Sequence, residues 1–176
     1  MNDSSNRVQS GLTAKDWFEH GYEYKRIGDL TCALDAFRRS IKLAGHVAAP
    51  WLGLAQVLDA NGQFEDARQC LAQSILVEPN NLAARLQLAN AHKNLGYVED
   101  AEQEYRCALK INPKSTAVLF GIGQLFEDIG RPSDAANAYR EALKQDFSMT
   151  EALSSLLGLS RHVDISNELV QAQALL

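Results

Sequence analysis

Sulfur, proline and positive charge are all in short supply in this chain. Among 176 residues there are 3 cysteines, 2 methionines and 4 prolines, and 17 Lys and Arg stand against 22 Asp and Glu, a formal charge of -5. Cys32, Cys70 and Cys107 lack the short spacing that metal sites and redox pairs use, so ordinary packing is expected of them. His20 and His92 occupy large-residue positions and are expected to be core or half-buried, whereas His46 and His162 fall in connections. No HExxH, GxSxG or GxxxxGK[ST] string occurs, which argues against a zinc protease, a serine hydrolase or a nucleotide-phosphate loop. The acidic balance argues against a nonspecific nucleic-acid surface, because phosphate binding needs clustered Lys and Arg. No run of about 18 apolar residues exists, so membrane insertion is not expected. Met1 to Ser10 is polar and without the apolar stretch of a secretory signal; residues 1–13 read as a flexible tail and the cytoplasm as the compartment.

What the chain does have is a period. Gly28, Gly62, Gly96 and Gly130 stand 34 residues apart, as do Ala33, Ala67, Ala101 and Ala135. A fixed period of this length marks one supersecondary unit copied in tandem. With Ala14, Ala48, Leu82 and Thr116 opening each copy, Trp17, Trp51, Arg85 and Leu119 align. They are followed by His20, Leu54, Leu88 and Ile122, by the small residues Gly21, Ala55, Ala89 and Gly123, and by Tyr24, Leu58, His92 and Phe126. Those offsets share one helical face. Beyond the glycine, Ala33, Ala67, Ala101 and Ala135 precede Phe37, Leu71, Tyr105 and Tyr139.

Each copy therefore reads as two helices around a tight turn. First helices are expected over 14–27, 48–61, 82–95 and 116–129, and second helices over 30–43, 64–77, 98–111 and 132–145. The turn glycine takes a left-handed conformation at little steric cost. Pro132 suits a first helical turn, and Pro79 and Pro113 close two copies. Gly121-Ile122-Gly123 lies inside a helix and serves close packing rather than phosphate binding.

These residues resemble the tetratricopeptide repeat, with its Trp, Leu, Gly, Tyr, Ala, Phe and Pro at these offsets. Trp17, Gly21, Tyr24, Ala33 and Phe37 carry the likeness in the first copy, Trp51, Leu54, Ala67 and Pro79 in the second, Leu88, Ala101 and Pro113 in the third, and Gly123 and Ala135 in the fourth. Gly45 and Phe147 depart from the closing proline and Arg85 from the aromatic. The resemblance implies an all-α, right-handed solenoid. Four repeats at 14–47, 48–81, 82–115 and 116–149 cover 14–147, followed by C-terminal capping helices over 150–176. There Asp164 is expected to cap a helix whose stripe of Ile165, Leu169, Ala172 and Leu176 packs on Leu153, Leu156 and Leu157.

In this family the first helices line a concave groove. Their second stripe would face a ligand: Phe18, Tyr22 and Lys25; Leu52, Gln56 and Asp59; Leu86, Asn90 and Lys93; Phe120, Gln124 and Glu127. The row Phe18, Leu52, Leu86 and Phe120 is apolar, and suits either a partner's apolar face or packing between neighbouring helices. The carboxamides of Gln56, Asn90 and Gln124 donate and accept, which suits an extended peptide backbone or, equally, solvent. Chaperone-binding members of the family hold a C-terminal carboxylate in a basic clamp; here its positions carry Phe18, Tyr22, Gly53, Ala83 and Gln87, and none is basic. Lys25 and Arg26 at one end of the stripe, and Glu127 and Asp128 at the other, would orient a ligand.

The function expected is a noncatalytic protein-protein interaction scaffold, without cofactor or metal, taking a peptide or helix of a partner protein. A secretion-type chaperone is a variant of that reading. The alternative is the N-terminal repeat part of a larger enzyme such as a sulfotransferase, whose inter-domain segment residues 150–176 weakly resemble. The end on Leu175-Leu176 without a polar tail fits a chain that continues, or self-association through the C-terminal helix.

Overall fold

The computed structural model describes residues 11–166, and nine α-helices occur among them. They are α1 (Ala14–Ile27), α2 (Leu30–Ala44), α3 (Ala48–Ala60), α4 (Phe64–Val77), α5 (Leu82–Asn94), α6 (Val98–Ile111), α7 (Thr116–Asp128), α8 (Pro132–Gln145) and α9 (Thr150–Gly158), followed by a 3-10 turn (Leu159–Arg161). No strand is present among the described residues. The helix limits read from the 34-residue period differ from these by no more than one residue. The turn glycines explain that agreement: Gly28, Gly62, Gly96 and Gly130 have φ between 72 and 84°, and they are the positive-φ residues of the described chain.

Side chains start several helices. Thr13 and Asp16 form a capping box, with the Thr13 amide donating to Asp16 Oδ2 at 2.7 Å and the Asp16 amide to Thr13 Oγ1 at 3.2 Å. Those bonds hold the Asp16 carboxyl below its ordinary value. Asn81 caps α5 by accepting from the Ala84 amide at 3.0 Å, and Pro132 is the first residue of α8.

The chain divides into two compact units, 1–95 and 96–176. In the first, α1–α5 enclose a core of Phe37, Leu54, Val57, Leu58, Leu71 and Leu88 around the small Ala33, Ala55, Ala67 and Ala91. Phe37 explains the spacing of these helices. Its ring is fully buried, and a Cβ added at Gly21 or Gly53 would stand 2.7 or 2.5 Å from it, so α1 and α3 close on the ring only because both positions are glycine. Two buried hydroxyls tie each second helix to the start of its own first helix: Ser40 Oγ donates to the Ala14 carbonyl at 2.7 Å and Ser74 Oγ to the Ala48 carbonyl at 3.1 Å.

In the second unit, α8, α9 and the 3-10 turn gather Ala135, Tyr139, Leu143, Leu156, Leu159 and Ile165 into one core. Gly121 and Gly123 repeat the same device, since a Cβ on Gly121 would stand 2.7 Å from Tyr105 and one on Gly123 would overlap Tyr139. Burial raises the pKa of both phenols above the ordinary tyrosine value.

Of the expected terminal cap, Asp164 and Ile165 are among the described residues. Asp164 Oδ1 accepts from the Ser166 amide at 3.0 Å, and Ile165 is buried in the core that contains Leu156, with Leu153 and Leu157 half-buried against it. Leu169, Ala172 and Leu176, like the tail over 1–10, lie outside the described residues. Ending the chain after Ser160 removes Ile165 and uncovers Leu156 and Leu159, each worth about 1.5–3 kcal/mol when fully buried. We expect the truncated chain to melt lower and to self-associate, and unchanged melting with a monomeric solution mass would contradict this.

Two expectations need correction. His20 is exposed, and the ring buried on that face of α1 is Trp17, which His20 meets edge-on at 5.9 Å, as it meets Tyr24 at 6.4 Å; His92 is buried as expected. Cys32 is exposed in the first turn of α2, whereas Cys70 is buried and its thiol is pushed up to about 11 by desolvation.

Candidate functional site

The apolar row expected to face a ligand is shared with the cores. Phe18 meets the Phe37 ring edge-on at 6.1 Å, Leu52 packs against the same core, and Phe120 rests on Tyr139 at 5.6 Å in the second unit. Phe18, Leu52, Leu86 and Phe120 are all half-buried. Tyr22 is 36% exposed, stands edge-on to Phe18 at 5.0 Å and to Phe37 at 5.2 Å, and has its pKa raised by burial.

Four of the twelve expected residues meet around one hollow in the first unit. Lys25 from α1, Gln56 and Asp59 from α3 and Asn90 from α5 line a depression of about 380 Å³, with Ala60, Leu71 and Gln87 completing its wall. Helical spacing puts Gln56 and Asp59 on one side of α3 and Gln87 and Asn90 on one side of α5. Lys25 Nζ donates to Gln56 Oε1 at 2.5 Å and lies 5.7 Å from the centre of the Tyr22 ring, which joins Tyr22 to the rim. With its oxygen engaged, Gln56 has its amide N–H groups left to offer. The Asp59 carboxylate makes no hydrogen bond or ion pair among the described residues, and desolvation raises its pKa.

The other positions are dispersed. Leu86 and Lys93 are half-buried on α5 and are not part of the hollow's wall. On α7, in the second unit, Gln124 is half-buried and Glu127 accepts from the Tyr139 hydroxyl at 2.8 Å. Three of the four charges expected to orient a ligand are engaged locally: Arg26 pairs with Glu23 at 2.6 Å, Lys25 with Gln56, and Glu127 with Tyr139. Gln87 was legible only as a clamp position without charge; its part in the hollow follows from standing one turn before Asn90 on α5.

The model of the family described as "Tetratricopeptide repeat" matches residues 18–69, 52–116 and 120–175, and the chain belongs to that family. An uncharacterized protein of Methanocaldococcus jannaschii is 31% identical over 65 residues, which is 37% of this chain and 76% of that protein. Among solved structures, a thermophilic tetratricopeptide protein of Thermus thermophilus superposes with a TM-score of 0.74 at 20% identity, over 89% of this chain and 86% of the other. MamA from Desulfovibrio magneticus RS-1, residue 41 to its end, gives 0.75 at 14% identity, over 85% and 84%. These likenesses establish the fold as that of the helix-turn-helix repeat solenoids. No described helix is long and apolar enough to cross a membrane.

Proposed function

We propose that this chain is a noncatalytic protein-interaction scaffold that holds an extended segment of a partner protein across α1, α3 and α5. The observation that carries this reading is the hollow itself. Gln56, Gln87 and Asn90 converge there from two helices, beside the aliphatic Leu71 and Ala60. Carboxamides donate and accept but neither take up nor release protons near neutral pH, so they suit recognition of backbone N–H and C=O groups and not acid-base chemistry. Asp59, with no cation of this chain bound to it, would take a donor of the partner, either a backbone amide or a basic side chain.

The test is binding of extended peptides by the full chain and by a variant carrying Gln56→Ala, Gln87→Ala and Asn90→Ala. These side chains are half-buried at the wall and not in the core, so helicity should persist. Affinity should fall by at least about tenfold, equal to 1.4 kcal/mol. Peptide binding that survives the triple substitution would remove the hollow from the reading. Leu52→Asp is unsuitable as a probe, because Leu52 packs against the core and its replacement would also cost stability.

A further inference from the structure

The outward sides of the second helices carry a repeating pair of cations four residues apart: Arg38 and Lys42, Arg106 and Lys110, Arg140 and Lys144. In α4 the same two places are Ala72 and Leu76. Leu76 is 73% exposed, more than any other large apolar side chain among the described residues. A single exposed leucine means little by itself. This one stands a turn beyond Ala72 and Gln73, which form one wall of a groove of about 590 Å³ between α2 and α4. The floor is apolar, made by Trp51, Leu54 and Leu58 at helical spacing along α3, and the volume falls within the roughly 300–1,000 Å³ of binding clefts.

The two walls differ in charge. On α2, Arg38 and, one turn on, Lys42 make no hydrogen bond or ion pair among the described residues, while on α4 Arg68 is held by Glu65 at 2.5 Å. Asp66 places one negative charge at the start of the α4 wall, where it accepts from Gln63 at 3.4 Å. Uncommitted positive charge therefore lies on α2, at Arg38 and Lys42, while α4 offers Gln69 and Gln73 beside the groove and the exposed Leu76 just beyond its end.

From this we infer that the α2–α4 groove is a second docking surface, and that its occupant is an amphipathic helix of a partner protein. Apolar residues of that helix, three and four apart, fill the floor and cover Leu76, while an acidic flank faces Arg38 and Lys42. A helix fits because the groove lies between two helical ridges over a helically spaced floor. This surface is separate from the hollow of Lys25, Gln56 and Asn90 and does not depend on it.

Two stapled synthetic helices test this against the full chain by fluorescence anisotropy at low salt. Both carry leucines at i, i+4 and i+7; one has glutamates along a flank and the other lysines. The glutamate helix should bind at least about tenfold tighter, Leu76→Asp should weaken it by about tenfold or more, and Arg38→Glu should turn the preference toward the lysine helix. Leu76 and Arg38 are exposed, so thermal melts of both variants should match the parent. Equal binding of the two helices, or binding indifferent to Leu76→Asp, would overturn the inference. So would sedimentation showing a dimer that Leu76→Asp dissociates, since the occupant would then be a second copy of this chain.

Discussion

Alanine at Gly123 should destabilise the second unit, although helix propensity alone argues the opposite. In a helix interior alanine is favoured over glycine by up to about 1 kcal/mol, and Gly123 lies inside α7. The added methyl would, however, overlap the Tyr139 ring. That ring has nowhere to go: it is fully buried, and its hydroxyl donates to Glu127 at 2.8 Å. Overpacking typically costs 1–3 kcal/mol and the propensity gain offsets up to about 1 kcal/mol of it, so a net loss of about 1 kcal/mol is expected, and more for Gly123→Val. Gly158 is the control, because a Cβ there meets nothing within 4 Å and its backbone is already helical. Gly158→Ala should leave stability unchanged or raise it by a few tenths of a kcal/mol, roughly. Chemical denaturation of the two variants compares them directly, and a stabilised Gly123→Ala protein would show that Tyr139 does not fix the α7–α8 spacing.

Loss of the Phe37 ring should have the largest effect in the first unit. Phe→Ala substitutions in cores cost about 3–5 kcal/mol, and Phe37 is 0% exposed with Phe18 and Tyr22 resting on it. The neighbouring glycines make the prediction sharper. Gly53→Ala alone should destabilise by crowding the ring, yet combined with Phe37→Leu it should cost less than the sum of the two single changes. The second copy and the helix that follows it already carry that combination of a smaller residue on the second helix and larger ones around it, with Leu71 in place of Phe37, Ala55 in place of Gly21 and, in the third copy, Gln87 in place of Gly53. Additive losses in a double-mutant cycle would contradict the wedge geometry.

These glycines show what was legible in the sequence. The helices were, because a turn glycine every 34 residues fixes where each one ends, and φ near +75° is open to few other residues. The role of Gly121 and Gly123 in close packing was legible too. The pairing of Phe37 with Gly53 and of Tyr105 with Gly121 is present in the sequence, but only a comparison of one copy's second helix with the next copy's first helix exposes it. The division after Leu95 has no such trace, since Gly96 keeps its place in the period.

The candidate site was harder to read. A helical stripe beside the core stripe is shared between core and solvent, and burial then depends on the size of neighbouring rings. Hence Phe18 and Leu52 fell inward while Gln56 and Asp59 stayed at the hollow. Charge was harder still: Lys25 and Glu127 both found partners of this chain, Gln56 and Tyr139, that no spacing rule identifies.

The hollow is tested most directly by mapping a bound extended peptide on the isotope-labelled full chain through backbone and side-chain amide chemical shifts. The largest changes should fall on Gln56, Asp59, Gln87 and Asn90, with Lys25 and Tyr22 at the edge, and little should move on α2, or on α4 away from Leu71. Shifts confined to the second helices, or to the second unit, would contradict the assignment of the binding site to α1, α3 and α5.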